Sequence, residues 1–131
     1  MEVLARSKNI RMSARKLRLV ADVVRGLPAD QALAILQHLR RQAAQPLLLT
    51  LKQGVANAVN NFALSKDSLK VKMLEIGEGP TFKRGRPASR GRWHQIFKRT
   101  SHIRMILEGE KKEPKGKKIV KKESKSKKND K

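Results

Sequence analysis

FKRGRPASRGRWHQIFKRTSHIRMIL, residues 82–107, holds eight Lys or Arg and no Asp or Glu. At its far end Ile103, Met105 and Leu107 recur at every second position. On its near side Leu69, Val71 and Met73 alternate with Lys70 and Lys72, and then Leu74 and Ile76 take the opposite parity. That switch predicts a strand with a bulge or a strong twist. The two alternating runs are expected to pair as an antiparallel hairpin with an apolar base and a glycine-rich, cationic tip at Lys83–Arg92. A leg extended from Leu69 to Phe82 reaches on the order of 45 Å at ~3.3 Å per residue. A small core cannot cover that length, so the tip is expected to project as an arm.

Eight like charges over 26 residues repel one another and call for a polyanion. The guanidinium groups of Arg84, Arg86, Arg90, Arg92, Arg99 and Arg104, the backbone freed at Gly85 and Gly91, and the rings of Phe82, Trp93 and Phe97 suit phosphates and unstacked bases. Phe82 and Trp93 flank the tip and are expected to face each other as a cross-strand aromatic pair, base stacking being the alternative.

The whole chain carries the imbalance. It has 131 residues and a formal net charge of +21. Thirteen basic residues lie in Met1–Thr81 and 11 in the segment after Glu110. Neutralising phosphates releases condensed counterions, so such a chain binds nucleic acid strongly and in a salt-dependent way. The length predicts one domain, residues 1–110, and a tail, residues 111–131, whose lysine-rich composition is that of disorder. Without cysteine there are no disulfides, thiol nucleophiles or cysteine-bound zinc, and no apolar run approaches the ~20 residues that span a bilayer. His38, His94 and His102 lack metal-ligand spacing, and phosphate-loop and nucleophile-elbow motifs are missing. The expectation is a protein that is not an enzyme and needs neither cofactor nor metal.

Upstream, residues 3–10 read as an edge strand. Ser13 is placed to cap a helix over Ala14–Arg25, closed by Gly26, whose apolar stripe is Leu17, Val20, Ala21 and Val24. A second helix is expected over Gln31–Leu39, burying Ala32, Leu33, Ile35, Leu36 and Leu39. A third, over Ala43–Asn61, carries the stripe Ala44, Leu48, Leu51, Val55, Ala58 and Phe62, with Pro46 tolerated in its first turn. Gly54 weakens that helix by about 1 kcal/mol relative to Ala, which suggests close packing there. The fold class expected is α+β: three helices on a small antiparallel sheet, with a long projecting hairpin.

SARKLRLVADVVRG (13–26), QALAIL (31–36), GVANAVNN (54–61) and EGPTFKRGRPASRGRWHQIFKRTSHI (78–103) together resemble the large-subunit ribosomal protein L twenty-two family of the bacterial type. The resemblance covers about Arg6–Leu107. It implies an RNA-binding domain of the large ribosomal subunit whose hairpin tip lines the nascent-peptide exit tunnel. The RNA-binding set it implies is Arg6, Lys8, Arg11, Ser13, Arg15, Lys16, Arg18, Lys52, Asn57, Asn60, Asn61, Lys83, Arg84, Arg86, Arg90, Gly91, Arg92, Lys98, Arg99, Thr100, His102 and Arg104. The tunnel-facing tip would be Lys83, Arg84, Gly85, Arg86, Pro87, Ala88, Ser89 and Arg90. Partners would be large-subunit (23S-type) rRNA, neighbouring ribosomal proteins and the nascent peptide, with no membrane, on the cytoplasmic ribosome, an organellar ribosome being the alternative. The chain departs from the family in having Gly54 where alanine or serine is common, Val59 for an acidic residue, and Pro87-Ala88-Ser89 for Pro-Arg-Ala. The competing reading is a basic module that binds DNA or anionic membrane nonspecifically through Lys111–Lys131.

Overall fold

The computed structural model describes residues 1–110, so the expectation of disorder in the lysine tail lies outside the described residues. Eight principal elements follow one another: β1 (Glu2–Ile10), α1 (Ala14–Val24), α2 (Ala29–His38), α3 (Ala44–Phe62), β2 (Lys70–Glu78), β3 (Phe82–Pro87), β4 (Trp93–Lys98) and β5 (Ser101–Glu108). The architecture is α+β. β1, β5 and β2 form an antiparallel sheet in that order, with the last strand in the middle, while β3 and β4 form a separate two-stranded ribbon.

Period-2 alternation makes the sheet one-sided. Ala5, Met105 and Leu74 form one inward row and Val3, Leu107 and Val71 the next, all buried against the helices. The register slips between Val71 and Met73, leaving Lys72 as the extra residue of a bulge. This is why Met73 turns outward and Leu74 inward. Lys72 uses its position to donate to Glu2 at 2.6 Å and to approach Glu108 at 3.5 Å, linking all three strands. The hydrogen bond from Lys72 holds the Glu2 carboxyl below the ordinary carboxylate range.

α1 buries the expected stripe, and Gly26 takes the left-handed conformation at φ 79°. Ser13 does precede α1 in extended backbone, yet its hydroxyl makes no capping bond. α2 begins at Ala29 and fully buries Ala29, Ala32 and Leu36. Leu33, Ile35 and Leu39 are half-buried, because this helix packs along one side only.

The main correction concerns α3. Its buried line is Ala44, Leu47, Thr50, Leu51, Gly54, Val55 and Ala58, whereas Leu48 is half-buried and Phe62 is 40% exposed. Gly54 explains the rotation. A Cβ there would lie 2.9 Å from Leu107 Cδ1 and 3.1 Å from the Ala5 Cβ, so the bare backbone rides against β5 and β1. Thr50 is turned into the core by the same rotation, and its hydroxyl is satisfied by donating to the Pro46 carbonyl at 2.9 Å.

Two substitutions test this packing in a denaturant titration. Gly54→Val should lower the unfolding free energy by about 1–3 kcal/mol through overpacking against Leu107 and Ala5. Leu51→Asp should abolish the cooperative transition, since an unpaired buried carboxylate costs several kcal/mol against a total of about 5–15. A normal transition for Leu51→Asp would put that helix face in solvent.

Candidate nucleic-acid interface

The arm begins at a neck where β2 and β5 give way to β3 and β4. Glu78 is the last residue of β2 and pairs with Ser101. Beyond it Gly79 N–H donates to the Thr100 carbonyl at 2.9 Å, and the buried Thr100 hydroxyl donates to Pro80 O at 2.6 Å. A Cβ on Gly79 would fall 2.5 Å from that hydroxyl, so this crossing requires glycine. His102, one step into β5, accepts a hydrogen bond on Nδ1 from the Asn9 amide at 3.0 Å. Asn9 stands at φ 56°, inside the irregularity that ends β1. Thr100 and His102 thus hold the neck and deliver residues 11–13 to its side.

The ribbon has six paired rows, from Phe82↔Lys98 to Pro87↔Trp93. Every residue in β3 and β4 is exposed. Strand alternation gives the ribbon two unlike faces. One presents Phe82, Arg84 and Arg86 beside Lys98, Ile96 and His94, with the Arg84 guanidinium 5.9 Å from the Phe82 ring centre. The other presents Lys83, Gly85 and Pro87 beside Phe97, Gln95 and Trp93. The first is cationic. The second is mostly aromatic and apolar.

Two expectations need correction here. The turn proper is only Ala88–Arg92, closed by Ala88 N–H donating to Arg92 O at 2.7 Å, with Arg90 and Gly91 left-handed at φ 58° and 69°. Lys83–Pro87 therefore belongs to the paired shaft and not to the tip. Phe82 and Trp93 are not partners either, because a turn this short makes Pro87↔Trp93 the last row and leaves Phe82 at the first. Trp93 instead lies over Gly85, where a Cβ would be 2.7 Å from its ring.

The carboxylates all lie outside the arm. Among the described residues the ion pairs are Arg18–Glu78, Arg25–Asp22, Lys66–Asp30, Lys72 with Glu2 and Glu108, and Arg104–Glu75. No residue between Lys83 and Arg99 takes part. Arg18 also donates to Ile76 O at 3.1 Å, so Arg18 and Arg104 are partly engaged by the domain itself.

The remaining expected residues fall into groups. Arg11, Ser13 and Lys16 meet Lys98 and Arg99 around one cleft beside the neck, together with Met12, Gln42 and Phe97. Arg15, Ser13, Arg99 and Thr100 line a second, smaller cleft with Glu78, Gly79 and Thr81. Arg6 stands on the outer sheet face, registered with Arg104 and Glu75, and Lys8 lies further along β1. Lys52, Asn57, Asn60 and Asn61 ride on α3, whose C-terminal end approaches Glu110, away from the neck. The asparagines do not cap that helix: Ala63, left-handed at φ 50°, ends it. Gln42 and Met12 were not anticipated, since each sits in a short connection with no sequence pattern.

Comparison with known families adds the deciding observation: residues 5–108 match the model described as ribosomal protein L22p/L17e. The chain belongs to that family. Its members are structural constituents of the ribosome and not enzymes. Among relatives, the large ribosomal subunit protein uL22 of Mycoplasma capricolum is 48% identical over 111 residues, 85% of this chain and all of the relative. The uL22 of Roseiflexus castenholzii is 45% identical over 108 residues, 82% of this chain and 96% of its own length. That of Clostridium novyi is 44% identical over 107 residues, 82% and 96% respectively. Among the described residues of this family member, no cluster of His, Cys, Asp or Glu is placed to hold a metal, and no helix is long and apolar enough to cross a membrane.

Because Trp93 is the single tryptophan, it reports on the ribbon. Gly85→Val should push its ring off the strand and collapse its near-ultraviolet circular dichroism. The unfolding free energy of the domain should change by no more than about 0.5 kcal/mol, as for a surface substitution.

Proposed function

We propose that this ribosomal protein binds large-subunit rRNA through the neck and the cationic face of its arm, and that the turn at Ala88–Arg92 reaches the wall of the nascent-peptide exit tunnel. The observation that carries the reading is the arm itself: a fully exposed ribbon whose cations have no carboxylate partners, standing on a domain whose carboxylates Glu2, Asp22, Asp30, Glu75, Glu78 and Glu108 are already engaged by the domain's own cations. Such a ribbon has no internal reason to hold its charges together. Phosphates of crowded RNA segments neutralise them, and the released counterions drive binding. Arg84, Arg86, Lys98 and Arg99 are assigned to phosphate, with Arg11, Arg15 and Lys16 extending the same surface past the neck. Arg6, Lys8, Lys52, Asn57, Asn60 and Asn61 form outlying contacts on the sheet and on α3. Thr100 and His102 serve by positioning. The turn, with Arg90 at its crest, meets the tunnel and the passing peptide, and other large-subunit proteins adjoin the domain in the cytoplasmic ribosome.

The measurement is affinity for large-subunit rRNA as a function of salt. Replacing Arg84, Arg86 and Lys98 together by Gln should lower the slope of log K against log salt by about 3, one for each phosphate that is no longer neutralised. A chain ending at Glu110 should still bind at moderate salt. Complete loss of binding on that truncation would instead favour the tail-driven reading.

A further inference from the structure

The cleft beside the neck differs in kind from the rest of the basic surface. It is an open cleft with a volume of about 380 Å³, and it is built by three separate parts of the chain: the β1–α1 connection with the first turn of α1, the α2–α3 connection, and the end of β4 with Arg99. Arg11, Lys16, Lys98 and Arg99 line it, and no carboxylate does. The Arg99 guanidinium lies 5.6 Å from the centre of the Phe97 ring, within cation–π range, so a cation and a ring stand together at its wall. The Gln42 side-chain amide, able both to donate and to accept, adds hydrogen-bonding capacity that phosphate alone does not require.

We infer that this cleft receives a single nucleotide turned out of an RNA helix, its base stacked on the Phe97–Arg99 pair and its flanking phosphates held by Arg11, Lys16 and Lys98. The inference rests on the rRNA-binding reading and names the ligand of one part of it. A continuous duplex keeps its bases stacked and shows phosphates, 2′-hydroxyls and base edges, so it has no base face to lay on Phe97. An unstacked nucleotide supplies a ring for Phe97 and Arg99, an edge for Gln42 and phosphates for the cations. The volume also falls within the range of about 300–1,000 Å³ typical of small-ligand clefts. Phe97 is 45% exposed, so ring surface is left for a partner.

The test uses the full chain and two RNA hairpins with the same stem, one fully paired and one carrying a single unpaired 2-aminopurine nucleotide. The bulged hairpin should bind about tenfold more tightly, and its 2-aminopurine fluorescence should fall on binding. Phe97→Leu keeps an apolar side chain but removes the ring; it should abolish both the preference and the quenching, with affinity for the paired hairpin held within about twofold because that binding is electrostatic. Gln42→Ala should reduce the preference without touching the arm. Equal affinity of the native chain for the two hairpins would overturn the inference while leaving rRNA binding intact. So would a preference that survives Phe97→Leu and is lost with Trp93→Leu, which would move the base to the far end of the ribbon. Failure of the native chain to bind either hairpin would remove the nucleic-acid reading, and the cleft assignment with it.

Discussion

The register that seats Glu78 opposite Ser101 governs the molecule. β5 is the last strand in sequence and the middle strand in space, and the backbones of β1 and β2 each pair with it and not with one another. The sheet therefore cannot close until the chain has travelled out along β3, turned, and come back along β4 with both legs in step. Bringing together β1 and β5, separated by most of the domain, carries a large loop-closure cost. Gly79 and Thr100 fix the handover between the two sheets, and the helical layer is then held by the close approach of Gly54 to Leu107 and Ala5.

Much of this was legible from residue patterns, and the exceptions have definite causes. The parity switch between Met73 and Leu74 reported the bulge because a period-2 pattern has nowhere to hide an extra residue. The stripe of α1 was equally readable, since that helix has one buried face and one wet one. α3 misled because it carries apolar residues on more than one side, so counting them could not choose among faces. The choice was made by a residue with no side chain, Gly54, whose contribution is visible only once the opposing strands are in place.

The candidate site divides the same way. That residues 82–107 are suited to a polyanion follows from charge alone, which needs no geometry. Which cations act together does not, because Arg11 and Lys98 are far apart in sequence and adjacent only when α1 lies beside the neck. Thr100 and His102 show the opposite error available to sequence reading. Both sit in the basic stretch, yet both make hydrogen bonds to the protein's own backbone. What they do in the structure is fix the neck and so aim the neighbouring cations. The Phe82–Trp93 pairing failed for a similar reason: symmetric spacing about a glycine-rich centre does not fix where a turn begins, and the left-handed Arg90 and Gly91 place it at Ala88–Arg92.

The two-faced ribbon also makes the arm a device with parity. Adding or removing two residues in each leg would move the turn by about 7 Å and leave every side chain facing as before. One residue in each leg would exchange the faces beyond that point, presenting indole and phenyl rings where guanidinium groups had stood. Arms of this construction can thus change reach only in even steps, and an odd step amounts to a different ligand for everything distal to it. The neck is indifferent to either, because its bonds involve only residues on its own side of the ribbon. Length variation in such a protein is quantised by the strand repeat, while the domain beneath it stays the same.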